Sequence, residues 1–270
     1  MSADGAERVS ADGTERASVV RVERARGVAR LVLDSPVNRN ALSVQLRTEL
    51  HAGLNAAVND AGVRCIVLSH SGSVFCSGAD LKEARQGSPP PGTPTVAQIL
   101  VDIWKSPKPV VCALGGVARA GGLGLVAACD VVVGVDAVTF ACTEVRLGVI
   151  PAVISAVMRP RMSPAALHQL FLTGLPVTAR WAQQAGLVDV VAASDELDVE
   201  VARVTDAFAL AAPGALAATK RLSRDDEAIA RLERELAELS VLSVQFFEGD
   251  EGREGLAAFA EKRDPSWVVN

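Results

Sequence analysis

Two short, mostly apolar runs at 19–23 and 28–33, with a glycine turn at Gly27 between them, predict a β-hairpin. Behind Ser43, the apolar positions Val44, Leu46, Leu50, Leu54 and Val58 recur at helical spacing, so a helix capped by Ser43 is expected. The runs at 65–68, 110–114 and 131–133 are apolar without alternation and short, as buried strands are. Proline and glycine in QGSPPPGTP, 86–94, keep that stretch a loop. Strands alternating with helices predict an α/β core with mainly parallel pairing. From about Asp195 the pattern is helical throughout, and 228–247 sets Ile229, Leu232, Leu236, Leu239, Leu242 and Phe246 along one side. The N-terminus repeats itself, SADGAER at 2–8 and SADGTER at 10–16, and has no apolar face to repay ordering. The expected organisation is a disordered polar tail at 1–17, a core at 18–200 and a helical region at 201–270.

Composition narrows the function. A chain of 270 residues can bury one substantial core. A net charge of −5 offers no broad basic surface for nucleic acid. No apolar run is long enough to span a bilayer and the first residues hold no hydrophobic signal core, so a cytoplasmic protein off the membrane is expected. The five cysteines are odd in number, lie mostly in apolar runs and show no C-x-x-C spacing, while the three histidines are scattered. Reduced, mostly buried thiols and no metal site are the expectation.

The chemistry concentrates in 115–148, GGVARAGGLGLVAACDVVVGVDAVTFACTEVRLG. Glycine pairs at a loop-to-helix junction let a ligand approach the backbone, and a helix start offers unpaired N–H groups to developing negative charge. Gly115, Gly116, Gly121, Gly122 and Gly124 supply such a junction, although glycine loops also serve plain tight turns. Glu144 lies between the apolar segments 139–142 and 147–150. It is either a solvated strand-end carboxylate or a desolvated one with a raised pKa, suited to moving protons. Arg119 sits in the glycine loop, either to pair with a substrate carboxylate or to bond local carbonyls.

Five landmarks appear in order: PVNRNAL at 36–42, FCSGADLK at 75–82, the glycine loop ending in ACD at 128–130, TEVRLGVIP at 143–151 and FAEKR at 259–263. On these the chain resembles the crotonase (enoyl-CoA hydratase/isomerase) superfamily from about Val19 to Asp264. The resemblance implies an α/β spiral of β-β-α units with a C-terminal helical trimerisation region, and a homotrimer or dimer of trimers. It implies an oxyanion hole from the backbone N–H groups of Ala79 and Gly121, and Glu144 as a catalytic carboxylate. CoA enters as the carrier part of an acyl-CoA substrate, with no separate cofactor. Ser77, Ala79 and Leu81 would border its adenine, and Arg39, Lys262 and Arg263 would reach its phosphates, though the basic residues are equally ordinary as surface. Residues 86–106 and 117–124, the latter including Arg119, Gly122 and Gly124, would shape the acyl pocket. Gly124 stands where well-known hydratases carry a second glutamate. The segment EVRLG-IPA-IS at 144–155 is similar to single-glutamate hydratases of branched glutaconyl thioesters. An enoyl-CoA hydratase is therefore the leading expectation, with a one-glutamate double-bond isomerase or a silent acyl-CoA-binding protein as alternatives.

Overall fold

The computed structural model describes residues 17–85, 87 and 89–269. Residues 1–16, most of the expected tail, lie outside that range. Strands β1 (Val20–Ala25) and β2 (Val28–Leu33) form the antiparallel hairpin. Its turn, Arg26-Gly27, has φ of 50° and 78°, the left-handed pair that matches a two-residue hairpin to the strand twist. A tight turn at Pro36–Asn38 leads to α1 (Val44–Asn59). Ser43 Oγ accepts from the Leu46 amide at 3.2 Å, as its position predicts, and Leu46, Leu50 and Leu54 face the core.

Three strand–strand–helix units follow. The first holds β3 (Cys65–His70), β4 (Val74–Cys76), α2 (Leu81–Ala84) and α3 (Val96–Lys105). The second holds β5 (Val110–Leu114), β6 (Val117–Arg119) and α4 (Gly121–Ala128). The third holds β7 (Val131–Val135), β8 (Thr139–Ala141), a tight turn at Glu144–Leu147 and α5 (Ala152–Met158). Then come α6 (Pro164–Thr173), β9 (Val177–Thr178), α7 (Ala179–Gln184) and β10 (Val190–Ala192). The chain finishes with α8 (Leu197–Leu210), α9 (Pro213–Ser223), α10 (Asp226–Glu248) and α11 (Asp250–Glu261).

The first strand of each unit joins a six-stranded sheet, β1-β2-β3-β5-β7-β10, parallel beyond the hairpin. The second strands join a smaller sheet, β4-β6-β8-β9, antiparallel only at β8–β9. Each unit thus alternates between two sheets, and the chain winds as a spiral of β-β-α units. Strands covered on both faces need apolar side chains throughout, which is why β5 is buried at all five positions and shows no alternation. The two-residue β9 and three-residue β10 have no hydrophobic period long enough to announce them.

The α10 stripe divides. Leu232 and Leu236 enter the core where α10 packs on α3 and α5, while Leu242 and Phe246 are exposed. Helix α9 is pinned to the core by charge. Lys220 Nζ lies 2.7 Å from Asp130 Oδ2, and Arg224 Nη1 lies 2.9 Å from Asp130 Oδ1 with its guanidinium 4.1 Å over the Trp104 ring. Asp130 also accepts from the Val110 amide at 2.8 Å. The five cysteines are free and buried. Burial pushes the Cys76 thiol up to about 12, which keeps it protonated and inert.

Candidate active site

Strands β4, β6 and β8 lie side by side in the small sheet, and each runs at its C-terminal end into a residue of the expected site: Ala79, Gly121 and Glu144. All three line one cavity of about 660 Å³. Parallel pairing gathers them, because it puts the ends of successive strands at the same edge.

Gly78 has φ of +93° and its carbonyl accepts from the Leu42 amide at 2.8 Å. A Cβ on Gly78 would stand 2.7 Å from Ala120 Cβ and 3.1 Å from the Gly121 nitrogen, and one on Gly121 would stand 3.7 Å from the Ala79 nitrogen. The two loops therefore touch, and only glycine permits the approach. Among the described residues, neither the Ala79 nor the Gly121 N–H has an acceptor. Gly121 opens α4, so its amide is one that the helix leaves unpaired. Ala120 holds φ 47° and ψ −124°, a strained conformation for alanine, with its N–H on the Ala141 carbonyl at 3.0 Å. That strain sets the orientation of the amide that follows. Two adjacent free donors on a cavity wall form a site for a developing oxyanion.

Glu144 is 9% exposed, and its Oε2 is buried without a partner. Burial pushes its pKa up to about 7, and a bond from its own amide draws it partly back. It is the desolvated carboxyl of the two alternatives, able to hold or release a proton near neutrality. The C-terminal helices pack over the turn that carries it. A Cβ on Gly255 of α11 would lie 2.2 Å from the Leu147 carbonyl, so α11 rests directly on the turn that carries Glu144. Ser243, Phe247, Ala258 and Phe259 extend this cover over the cavity. Sequence reasoning left these four out, since contacts between residues so far apart in the chain leave no local signal.

Two expected substrate neighbours prove to be packing residues. A Cβ on Gly122 would meet the Cys76 carbonyl oxygen at 2.7 Å, and one on Gly124 would meet Ile154 Cγ2 at 2.7 Å. Both are buried and neither lines the cavity. Ile154 does line it, so an isoleucine fills the room into which a second carboxylate at 124 would project. Gly115 and Gly116 stand apart from the site, in the turn between β5 and β6 against His70 and Ser73. Gly122→Ala is expected to cost about 1–3 kcal/mol by overpacking α4 against β4. It should also lower turnover per folded molecule, because Gly121 shifts with the helix. Urea denaturation and active-site titration on the same preparation check both effects.

Ser77, Leu81 and Arg39 line the cavity, with Arg39 exposed. Lys262 is exposed and does not line it. Arg263 lines it, but its guanidinium is engaged by Glu254 at 2.7 and 2.9 Å and by Glu261 at 2.6 Å. Lys82, beside Leu81, is an exposed lining residue with no ion pair among the described residues. Its place in the same short loop was the available signal. Arg119 lines the cavity half-buried and donates to the Ala118 carbonyl at 2.9 Å, the Thr139 carbonyl at 2.6 Å and Thr139 Oγ1 at 2.8 Å.

Residues 23–270 match the family model for enoyl-CoA hydratase/isomerase, and the chain belongs to that family. An enoyl-CoA hydratase of Mycobacterium tuberculosis is 30% identical over 246 residues, covering 88% of this chain and 91% of the relative. A carnitinyl-CoA dehydratase of Proteus mirabilis is 30% identical over 247 residues, covering 89% and 94%. The crystal structure of an enoyl-CoA hydratase from Mycobacterium avium superposes with a TM-score of 0.83 at 38% identity, covering 94% of this chain and 100% of that one. These likenesses bear out the crotonase fold expected from the five landmarks.

Proposed function

We propose that the protein adds water to, or removes it from, the double bond of an α,β-unsaturated acyl-CoA thioester. The observation that carries this reading is a buried carboxyl, its Oε2 without a partner and its pKa raised to about 7, in the same cavity as two free amides. The thioester oxygen accepts from the Ala79 and Gly121 N–H groups. Water bonds to the β-carbon while Glu144 takes its proton, and the π electrons move to the oxygen as an enolate. Glu144 then returns the proton to the α-carbon as the carbonyl reforms. The donors matter because they meet charge that exists only along the reaction path, and each is worth roughly 3–4 kcal/mol in comparable sites. The backbone of Ser77, Ala79 and Leu81 would border the carrier, and Arg39 and Lys82, exposed and without an ion pair among the described residues, favour its phosphates.

A second reading, a double-bond isomerase, is favoured by one observation: Ile154 occupies the place of a second carboxylate, and a single proton shuttle suffices for a 1,3-shift. A 2-enoyl-CoA in ¹⁸O-water separates them. Hydration removes the conjugated absorbance and puts ¹⁸O on the product. Loss of conjugation without the label supports the isomerase. Absence of any α-proton exchange in deuterated water would leave a silent acyl-CoA binder. Because Glu144 must be ionised to accept the proton, kcat/KM should rise with pH through about 7 and level above it. A profile flat from pH 5 to 9 would remove Glu144 as the base.

A further inference from the structure

Arg119 is a half-buried cation with no carboxylate within ion-pair distance among the described residues. Burial alone lowers its pKa, with no charged neighbour entering. Two other basic residues around the cavity are accounted for differently: Arg263 is neutralised by Glu254 and Glu261, and Arg146 donates to the Thr173 carbonyl, while Arg39 and Lys82 are exposed. The three bonds of Arg119 spend both Nη1 hydrogens and one Nη2 hydrogen. Among the described residues Nε–H and the second Nη2–H have no acceptor, and together they form the side of the guanidinium fork that fits a carboxylate in two parallel bonds. The Nε atoms of Arg47 and Arg64 are sealed in protein without partners, whereas that of Arg119 is not sealed. The bonds to Thr139 thus fix the fork while leaving one edge of it free. Leaving a half-buried guanidinium uncompensated is costly unless something anionic completes it.

Position narrows the anion. Arg119 is two residues before Gly121, so their Cα atoms lie within about 7.6 Å, and both residues line the same cavity as Ala79. Arg119 is absent from the causes of the raised Glu144 pKa, so its charge is not already spent on the catalytic carboxyl. We propose that Arg119 selects acyl-CoA substrates whose short acyl chain carries a carboxylate, binding that group through Nε–H and Nη2–H. The proposal rests on the acyl-CoA reading of the cavity and holds for hydration and isomerisation alike.

Binding of saturated analogues tests it without any turnover. Titration calorimetry would compare glutaryl-CoA with pentanoyl-CoA, which presents a methyl group in place of the terminal carboxylate. The wild-type protein should bind glutaryl-CoA roughly tenfold to a hundredfold more tightly, the worth of a charged hydrogen-bonded pair. Arg119→Met should lose that preference and keep its affinity for pentanoyl-CoA. Arg119→Lys should keep only part of it, because a point charge cannot reproduce the fork. Equal wild-type affinities would overturn the proposal and leave the acyl-CoA reading standing, and this arm needs no variant to fold. An equal loss for both ligands in Arg119→Met would also overturn it, marking Arg119 as a support for the loop before Gly121. Binding of neither ligand would overturn both readings together.

Discussion

Glu144→Gln should lower turnover by roughly 10²–10⁴-fold, the usual worth of positioned acid–base catalysis, while acyl-CoA affinity stays nearly unchanged. The amide keeps the volume of the side chain and loses the proton. The same substitution should make the protein more stable at alkaline pH. The ordinary glutamate value of 4.5 is raised to about 7 in the folded state. Below pH 4.5 the carboxyl is protonated folded or unfolded, and burying it carries no ionic penalty. As pH rises through 7 the unfolded chain has already shed the proton, and the folded chain must keep it or hold a buried charge. Stability is therefore lost progressively between pH 4.5 and 7, by about 3 kcal/mol in all. Glutamine removes that loss, so the variant should unfold later than wild type at pH 8 and together with it at pH 4. Thermal melts at the two values, beside initial rates, give both readouts. Equal melts at pH 8 would mean that Glu144 is solvated, and unchanged turnover would take it out of the chemistry.

Gly124→Glu should fail to supply a second carboxylate. The first side-chain atom would already stand 2.7 Å from Ile154 Cγ2 and 3.5 Å from Leu100 Cδ1, so α4 must move away from α5. Overpacking of this kind costs about 1–3 kcal/mol, and a desolvated carboxyl adds to it. Adding Ile154→Ala removes the obstructing atoms, and the double variant should recover part of the lost stability. Chemical denaturation of the single and double variants measures the coupling directly. Additive losses would show that Ile154 is not what excludes a carboxylate from position 124.

Much of this was legible in the chain because local rules carry it. The Gly27 turn, the Ser43 cap, the unalternating buried strands and the helical C-terminal region each follow from a few adjacent residues. Ala79, Gly121 and Glu144 were legible for a different reason, since each sits in a landmark that resembles a known family. Contacts between distant residues were not legible. Nothing near Gly124 announces Ile154, thirty positions on, and the glycine reads equally well as a ligand contact or as a packing residue. Arg263 looks like a free cation until the fold brings Glu254 beside it. The three-residue strands β4, β6 and β8 are too short to show a period, yet their pairing assembles the site. Gly255 carries no side chain to advertise that it seats α11 on the Glu144 turn.

That seat has a consequence for the newly made protein. Ala79, Gly121 and Glu144 all leave the ribosome well before Gly255 does. A nascent chain can wind its three units and form both amide donors before α11 exists to rest on the Glu144 turn. The cover over the Glu144 turn can form only once residues 250–261 have been made. A chain stopped before α11 would keep the three wound units and lack that cover over the Glu144 turn.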